Sequence, residues 1–224
     1  MPGSASNNGK IRKFLKRFWI TYACIVSFVI LFFISVTFGL FGKMPSFEEL
    51  ENPKSNLATE IISSDGKLLG KYYIENRSNT HYQELSPNVI NALIATEDAR
   101  FESHSGIDMI AIVRVFWGIA TGSSKGGGST ITQQLAKNLF PRKQDRSFME
   151  TALIKFKEWI TAVKLERNYS KDEILAMYLN TVDFGSQSYG IKSAAKTYLN
   201  KDPAQLNVEE AAMLFDSASS VIVV

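Results

Sequence analysis

The chain has 224 residues, enough for one compact domain with a short extension and too few for two large ones. Its 45% hydrophobic content is ordinary for a globular protein, and a formal charge of +3 is too weak to argue for nucleic acid as a partner. Cys24 is the single cysteine, which excludes an intramolecular disulfide and a thiolate zinc site and leaves an inert small hydrophobe.

Residues 1–9 read as an unordered tail, and 1–17 as a basic cytoplasmic segment carrying Lys10, Arg12, Lys13, Lys16 and Arg17. From Phe18 to Gly42 no charged residue occurs. A membrane-crossing helix needs roughly 20 apolar residues, so 18–42 is expected to span a bilayer. A cleavable signal peptide is the competing reading; the run is longer than a usual signal core and no small-x-small site follows it. The basic residues before the span and Glu48, Glu49 and Glu51 after it predict an N-terminus in the cytoplasm and a domain outside.

Residues 43–57, with Pro45 and Pro53, read as a linker. Across 58–85, β-prone runs at 59–63 and 67–74 flank Ser64-Asp65-Gly66, turn chemistry that predicts a hairpin. The period then changes. Ser86 is a candidate N-cap with Pro87 at the first helical position, and Val89, Ile90, Leu93 and Ile94 form a helical apolar stripe. Further helices are expected at about 107–121, 129–140, 147–167, 170–180, 189–198 and 207–214, broken at 122–128 and 185–188. The fold class is therefore mainly α, with a small β-hairpin and one preceding transmembrane helix.

Two segments carry chemistry. Residues 95–106 read ATEDARFESHSG, and 126–138 read GGGSTITQQLAKN. Taken alone, a glutamate at a helix end is solvated surface. A glycine run opening into Ser-Thr at a helix start is either an anion-binding site made of free N–H groups and hydroxyls or a loop capped by Ser129. The pair together is more specific. Glu97-Asp98-x-x-Phe101-x-x-His104-x-Gly106, followed by Gly127-Gly128-Ser129-Thr130-Ile131-Thr132-Gln133-Gln134, resembles the signature of peptidoglycan glycosyltransferases, the glycan-polymerising module of class A penicillin-binding proteins and of stand-alone transglycosylases. Lys155-x-Lys157-Glu158, the stretch from Ile174 to Gly185 and that from Tyr189 to Tyr198 resemble three further motifs in order. The likeness covers about residues 58–214, with the glycosyltransferase domain proper at 86–214.

The resemblance implies a lysozyme-like helical fold and lipid II as substrate. A lipid-linked glycan strand would be joined to the 4-hydroxyl of the next lipid II, with undecaprenyl diphosphate leaving. It implies a single-pass protein of the bacterial plasma membrane with an extracytoplasmic catalytic domain, open to other cell-wall synthesis proteins as partners. Glu97 matches the catalytic base and Glu158 the second carboxylate, which would organise the donor side. Asp98 and Phe101 match motif residues of the substrate site, Asp98 equally as a bracing acceptor. Ser129, Thr130, Gln133 and Gln134 would line the sugar and diphosphate cleft. Lys137, Lys155 and Arg146 would offset diphosphate charge, with room for a divalent cation (Mg or Mn) and no organic cofactor. Tyr178, Asn180 and His104 are expected to support rather than to react. Residues 107–121 would be either a buried core helix or part of the lobe by which this family dips into the bilayer.

Two departures stand out. The third motif has Ile154 where the family carries Arg, a charge that Arg142, Lys143 or Arg146 would have to supply. After Leu214 the chain reads FDSASSVIVV in place of small residues and a proline turn, so 215–224 reads as an atypical tail with no transpeptidase segment, as expected of a class A protein that is truncated, frameshifted or cut near the domain end. A lytic hydrolase on the same fold and a non-catalytic lipid II-binding scaffold are the competing functions.

Overall fold

A computed structural model describes residues 5–40, 59–65, 68–72, 76–77, 80–123, 127–140, 147–186 and 188–222. The predicted linker at 43–57 and the basic stretch 141–146, Arg142, Lys143 and Arg146 included, lie outside the described residues. The chain divides into two units, Met1–Met44 and Pro45–Val224.

The first unit is one helix, α1 (Ala5–Thr37). It begins inside the tail expected to be unordered, so the basic segment continues the helix. Lys10–Thr37 is long and apolar enough to cross a membrane, with a mean hydropathy of 2.4 over its best window. Its large apolar side chains, Phe14, Phe28 and Leu31 among them, point outward, as suits a helix whose solvent is lipid. Ser35 and Thr37 donate their hydroxyls to the carbonyls of Leu31 and Phe33, each at 2.8 Å, so neither is left unpaired in that setting.

The second unit opens with the expected hairpin. β1 (Thr59–Ile62) pairs antiparallel with β2 (Leu68–Tyr72), in a register running from Thr59 opposite Tyr72 to Ile62 opposite Leu68, irregular between Ile61 and Ile62. A second, parallel pair was not foreseen. β3 (Asn76–Arg77) runs beside β4 (Ser188–Tyr189), and two residues are too few to leave a period.

The remaining elements are α2 (Pro87–Glu97), α3 (Met109–Ala120), α4 (Ile131–Asn138), α5 (Phe148–Asn168), α6 (Lys171–Thr181), α7 (Ile191–Leu199) and α8 (Val208–Ile222). Their starts follow cap chemistry. Ser86 accepts from the Val89 amide with Pro87 at the first position. Ser147 with Glu150 and Ser170 with Glu173 form reciprocal capping boxes, each satisfying two otherwise orphaned donors. α4 is capped by Thr130, not by Ser129, and this releases the Ser129 hydroxyl. α8 runs beyond the predicted stop at 214. Phe215 is buried and lies 5.9 Å from Phe184, centroid to centroid, because the apolar repeat Ala211, Leu214, Phe215 carries the stripe onward.

The core gathers Val89 and Leu93 of α2, Ile131 and Leu135 of α4, Leu165 of α5, Ile174, Leu175, Tyr178 and Leu179 of α6, and Ala194 and Ala195 of α7. Asn180 closes one side. Its side chain accepts from the Thr80 amide and donates to the Thr80 carbonyl, both at 2.9 Å, as a neighbouring strand would. α3 stands apart from this core. Only Ala111 and Gly118 of it are buried, while Met109, Ile110, Val113, Phe116, Trp117 and Ile119 are exposed. Of the two readings of 107–121, the buried core helix is therefore the one that fails.

Candidate active site

α2 ends at Glu97, and Asp98 leaves the helix with φ −156° and ψ 75°. The two adjacent carboxylates are thereby sent in different directions. Glu97 is half-buried on the rim of a cleft of about 410 Å³ that is also bordered by Arg100, Asp108, Arg114, Gly128, Ser129 and Gln134. Asp98 turns inward, with a side chain 5% exposed. Its Oδ2 accepts from the Ile131 amide at the start of α4 (3.2 Å) and lies 3.0 Å from His104 Nε2. Such a carboxylate at a helix N-terminus is favoured by the unpaired amides there. Asp98 fastens α4 to the end of α2.

The loop 98–108 is held from beneath. Lys171 Nζ sits 4.1 Å from the centroid of the Phe101 ring, donates to the His104 carbonyl at 2.8 Å and pairs with Glu166. Glu166 also accepts from the Thr132 hydroxyl at 2.6 Å. Gly106 has φ +87°, and a Cβ there would come within 2.9 Å of the Ala162 carbonyl group, so only glycine lets the loop lie against α5. Asp108 caps α3 through the Ala111 amide and is clasped by Arg100 Nε and Nη2 at 2.9 and 2.5 Å. Burial alone would raise its carboxyl, but these bonds outweigh it and hold it below the ordinary value.

Across the cleft, Gln134 Nε2 donates to Glu97 Oε2 at 2.7 Å, and Tyr178 donates its phenol to Gln134 Oε1 at 3.1 Å. Burial first, then the charge of Glu97, push the Tyr178 hydroxyl far above its ordinary value, so it remains a neutral donor. From α5, Lys155 Nζ donates to Ser129 Oγ at 3.0 Å and to Glu158 Oε2 at 2.9 Å. The Glu158 side chain is 6% exposed and that of Lys155 42%. A buried carboxylate thus holds an ammonium at the cleft mouth.

Of the predicted site residues, Glu97, Gln134, Ser129, Lys155 and Glu158 come together in this way. Four others have their side chains buried or committed within the protein, although Asp98 and Thr130 border the cleft. Phe101 is fully buried under Lys171 and is a core residue. Asp98 borders the cleft, but its carboxylate is spent on His104 and α4. Thr130 has its hydroxyl committed to the Gly106 carbonyl (2.8 Å) and the Gln133 amide. Gln133 is 1% exposed, and its amide finds no partner among the described residues. These follow from helix geometry: on a short α4, residues either side of Gln134 face the core. Lys137 is exposed in the last turn of α4 and is not among the residues that border the cleft. Arg100, Asp108 and Arg114 were missed. Arg100 sits within the 95–106 segment at a position given no role, and Asp108 and Arg114 lie beyond it, reaching the cleft only through the fold of α3.

Among the described residues one cluster has ligand-type atoms close enough for a metal: Asp98, His104 and Asp108, within 4.8 Å of one another. It does not fit an ion. The Ile131 and Ala111 amides, His104 and Arg100 already occupy its carboxylates, and an ion would have to displace them.

The second unit thus sets a carboxylate on the rim of an open cleft that a glycine-rich helix start also lines, with a lysine tethered to Ser129 beside it. A family profile described as Transglycosylase matches residues 65–220, and the chain belongs to that family. It is 39% identical over 175 residues to a penicillin-binding protein 1A of Neisseria lactamica, covering 78% of this chain and 21% of that protein. It is 44% identical over 158 residues to penicillin-binding protein 1F of Bacillus subtilis, covering 70% of this chain and 21% of that protein. The chain thus spans about a fifth of the length of the curated relatives it matches.

Proposed function

We propose that this chain is a peptidoglycan glycosyltransferase that polymerises lipid II, with Glu97 as general base. The observation that carries the reading is the Glu97 carboxylate, held by Gln134 on the rim of a cleft also lined by Ser129, to whose hydroxyl Lys155 donates from outside the lining. The acceptor 4-hydroxyl is a weak nucleophile. As its oxygen bonds to the anomeric carbon of the lipid-linked strand, its proton passes to Glu97. The bond from that carbon to the diphosphate breaks, and the electron pair leaves with undecaprenyl diphosphate. Negative charge gathers on the departing oxygens, where Lys155 and the Ser129 hydroxyl can meet it. Glu158 keeps Lys155 aimed, and Arg114 adds a second cation to the same cleft. An ion among Asp98, His104 and Asp108 would have to displace the amides, His104 and Arg100 that both carboxylates already accept from.

α1 anchors the chain with its basic end in the cytoplasm, and the exposed apolar side chains of α3 rest in the outer leaflet beside the lipid tail of the substrate. The test is incubation of the detergent-solubilised full chain with labelled lipid II. Polymer is expected, and Glu97→Gln should lower its rate by about a hundredfold or more. Cleavage of preformed glycan without polymer would instead identify a hydrolase, and full activity of Glu97→Gln would remove the base.

A further inference from the structure

We propose that Tyr178 is a positioning residue for Glu97: its phenol, bonded to the far side of the Gln134 amide, fixes where that amide meets the carboxylate. The inference rests on the reading of Glu97 as the base. An amide side chain has a donor edge and an acceptor edge of nearly the same shape. Here the donor edge meets Glu97 at 2.7 Å and the acceptor edge meets Tyr178 at 3.1 Å. While Glu97 is ionised, it favours this arrangement by itself. Once it has taken the proton of the acceptor hydroxyl, the preference reverses, since a protonated carboxyl would rather donate to a carbonyl. A phenol accepts as readily as it donates, so the Tyr178 hydroxyl keeps the amide in reach of Glu97 in either orientation, before and after the proton is taken.

The hold is rigid for reasons of packing. Tyr178 is 2% exposed in the middle of α6, between Ile174, Leu175 and Leu179. Its ring has no room to swing, and burial in low dielectric strengthens the bond it makes. The relay therefore ties the aim of a rim carboxylate to the core of the domain. An N–H donor also favours the charged form of a carboxylate over the neutral one.

Tyr178→Phe keeps the ring and removes one hydroxyl. The other charged groups around Glu97 stay in place: Asp98, Arg100 and Asp108 of the loop, Arg114 of α3, and Lys155 and Glu158 of α5. Loss of one neutral hydrogen bond predicts a fall in kcat of about three- to tenfold, with KM for lipid II unchanged and the acid limb of the pH–rate profile moved to higher pH. Gln134→Met removes the amide at similar length, and in that background adding Tyr178→Phe should cost nothing further. The double-mutant cycle overturns the proposal if the two losses multiply as independent ones do, or if Tyr178→Phe leaves both kcat and the acid limb as in wild type. Should Tyr178→Phe also lower the melting temperature, the Gln134→Met background decides: a structural loss persists there and a positioning loss does not. If Glu97→Gln is fully active, the base assignment has failed. If Glu97→Gln is inactive and the cycle is additive, only the relay has.

Discussion

The Lys155 ammonium is hydrogen-bonded on one side to Ser129 and on the other to the buried Glu158 carboxylate, so its removal has two consequences that can be separated. Lys155→Met takes away a cation at the leaving group and strands a buried charge. The polymerisation rate should fall about a hundredfold, the scale of losing one preorganised donor to a developing anion, and the melting temperature should fall as well. Lys155→Met combined with Glu158→Gln should recover the melting temperature and not the rate, as calorimetry and the lipid II assay would register. Residue types and order pointed to Glu97, Gln134, Ser129, Lys155 and Glu158. Phe101 and Gln133 misled because a motif says that a residue type is required and not whether its side chain faces substrate or core.

Among the elements, α3 starts from a cap with two tasks. Asp108 both caps it and binds Arg100, and its carboxyl is held below the ordinary value of 3.8. The unfolded chain thus binds more protons than the folded one near that pH, so stability rises with pH there. The contribution is fully present above the ordinary value and is lost as pH falls below it through the depressed folded value. Asp108→Asn retains a capping oxygen and removes the charge. Thermal melts between about pH 5 and pH 2.5 should show a shallower loss of stability in Asp108→Asn than in wild type. Helix existence was legible here: the Ser86-Pro87 start, the Asp65 turn and the stripe of α2 all carry local chemistry. The cap at Thr130, the β3–β4 pair and the extension of α8 through Phe215 were not. Each is decided by a partner far along the chain, Gly106 for Thr130 and Phe184 for Phe215.

On the scale of the whole molecule, most of the large exposed apolar side chains among the described residues lie along α1 and α3, with Phe148, Met149, Val208 and Met213 exposed elsewhere. Phe116 and Trp117 are 69% and 65% exposed, more than a soluble surface carries without a partner. Replacing both by serine should raise KM for lipid II in proteoliposomes by about tenfold or more, since each buried aromatic is worth about 1.5–3 kcal/mol, while kcat stays within about twofold. Unchanged KM would mean that α3 does not meet the bilayer. Asn180 bears on the whole molecule in another way. Its clamp on Thr80 spans 100 residues of chain. At a synthesis rate of about 5–20 residues per second, Thr80 is made some 5–20 s before the side chain that will hold it. The segment around Thr80, ahead of α2, must wait unfastened through that interval and is closed only once the end of α6 has been made.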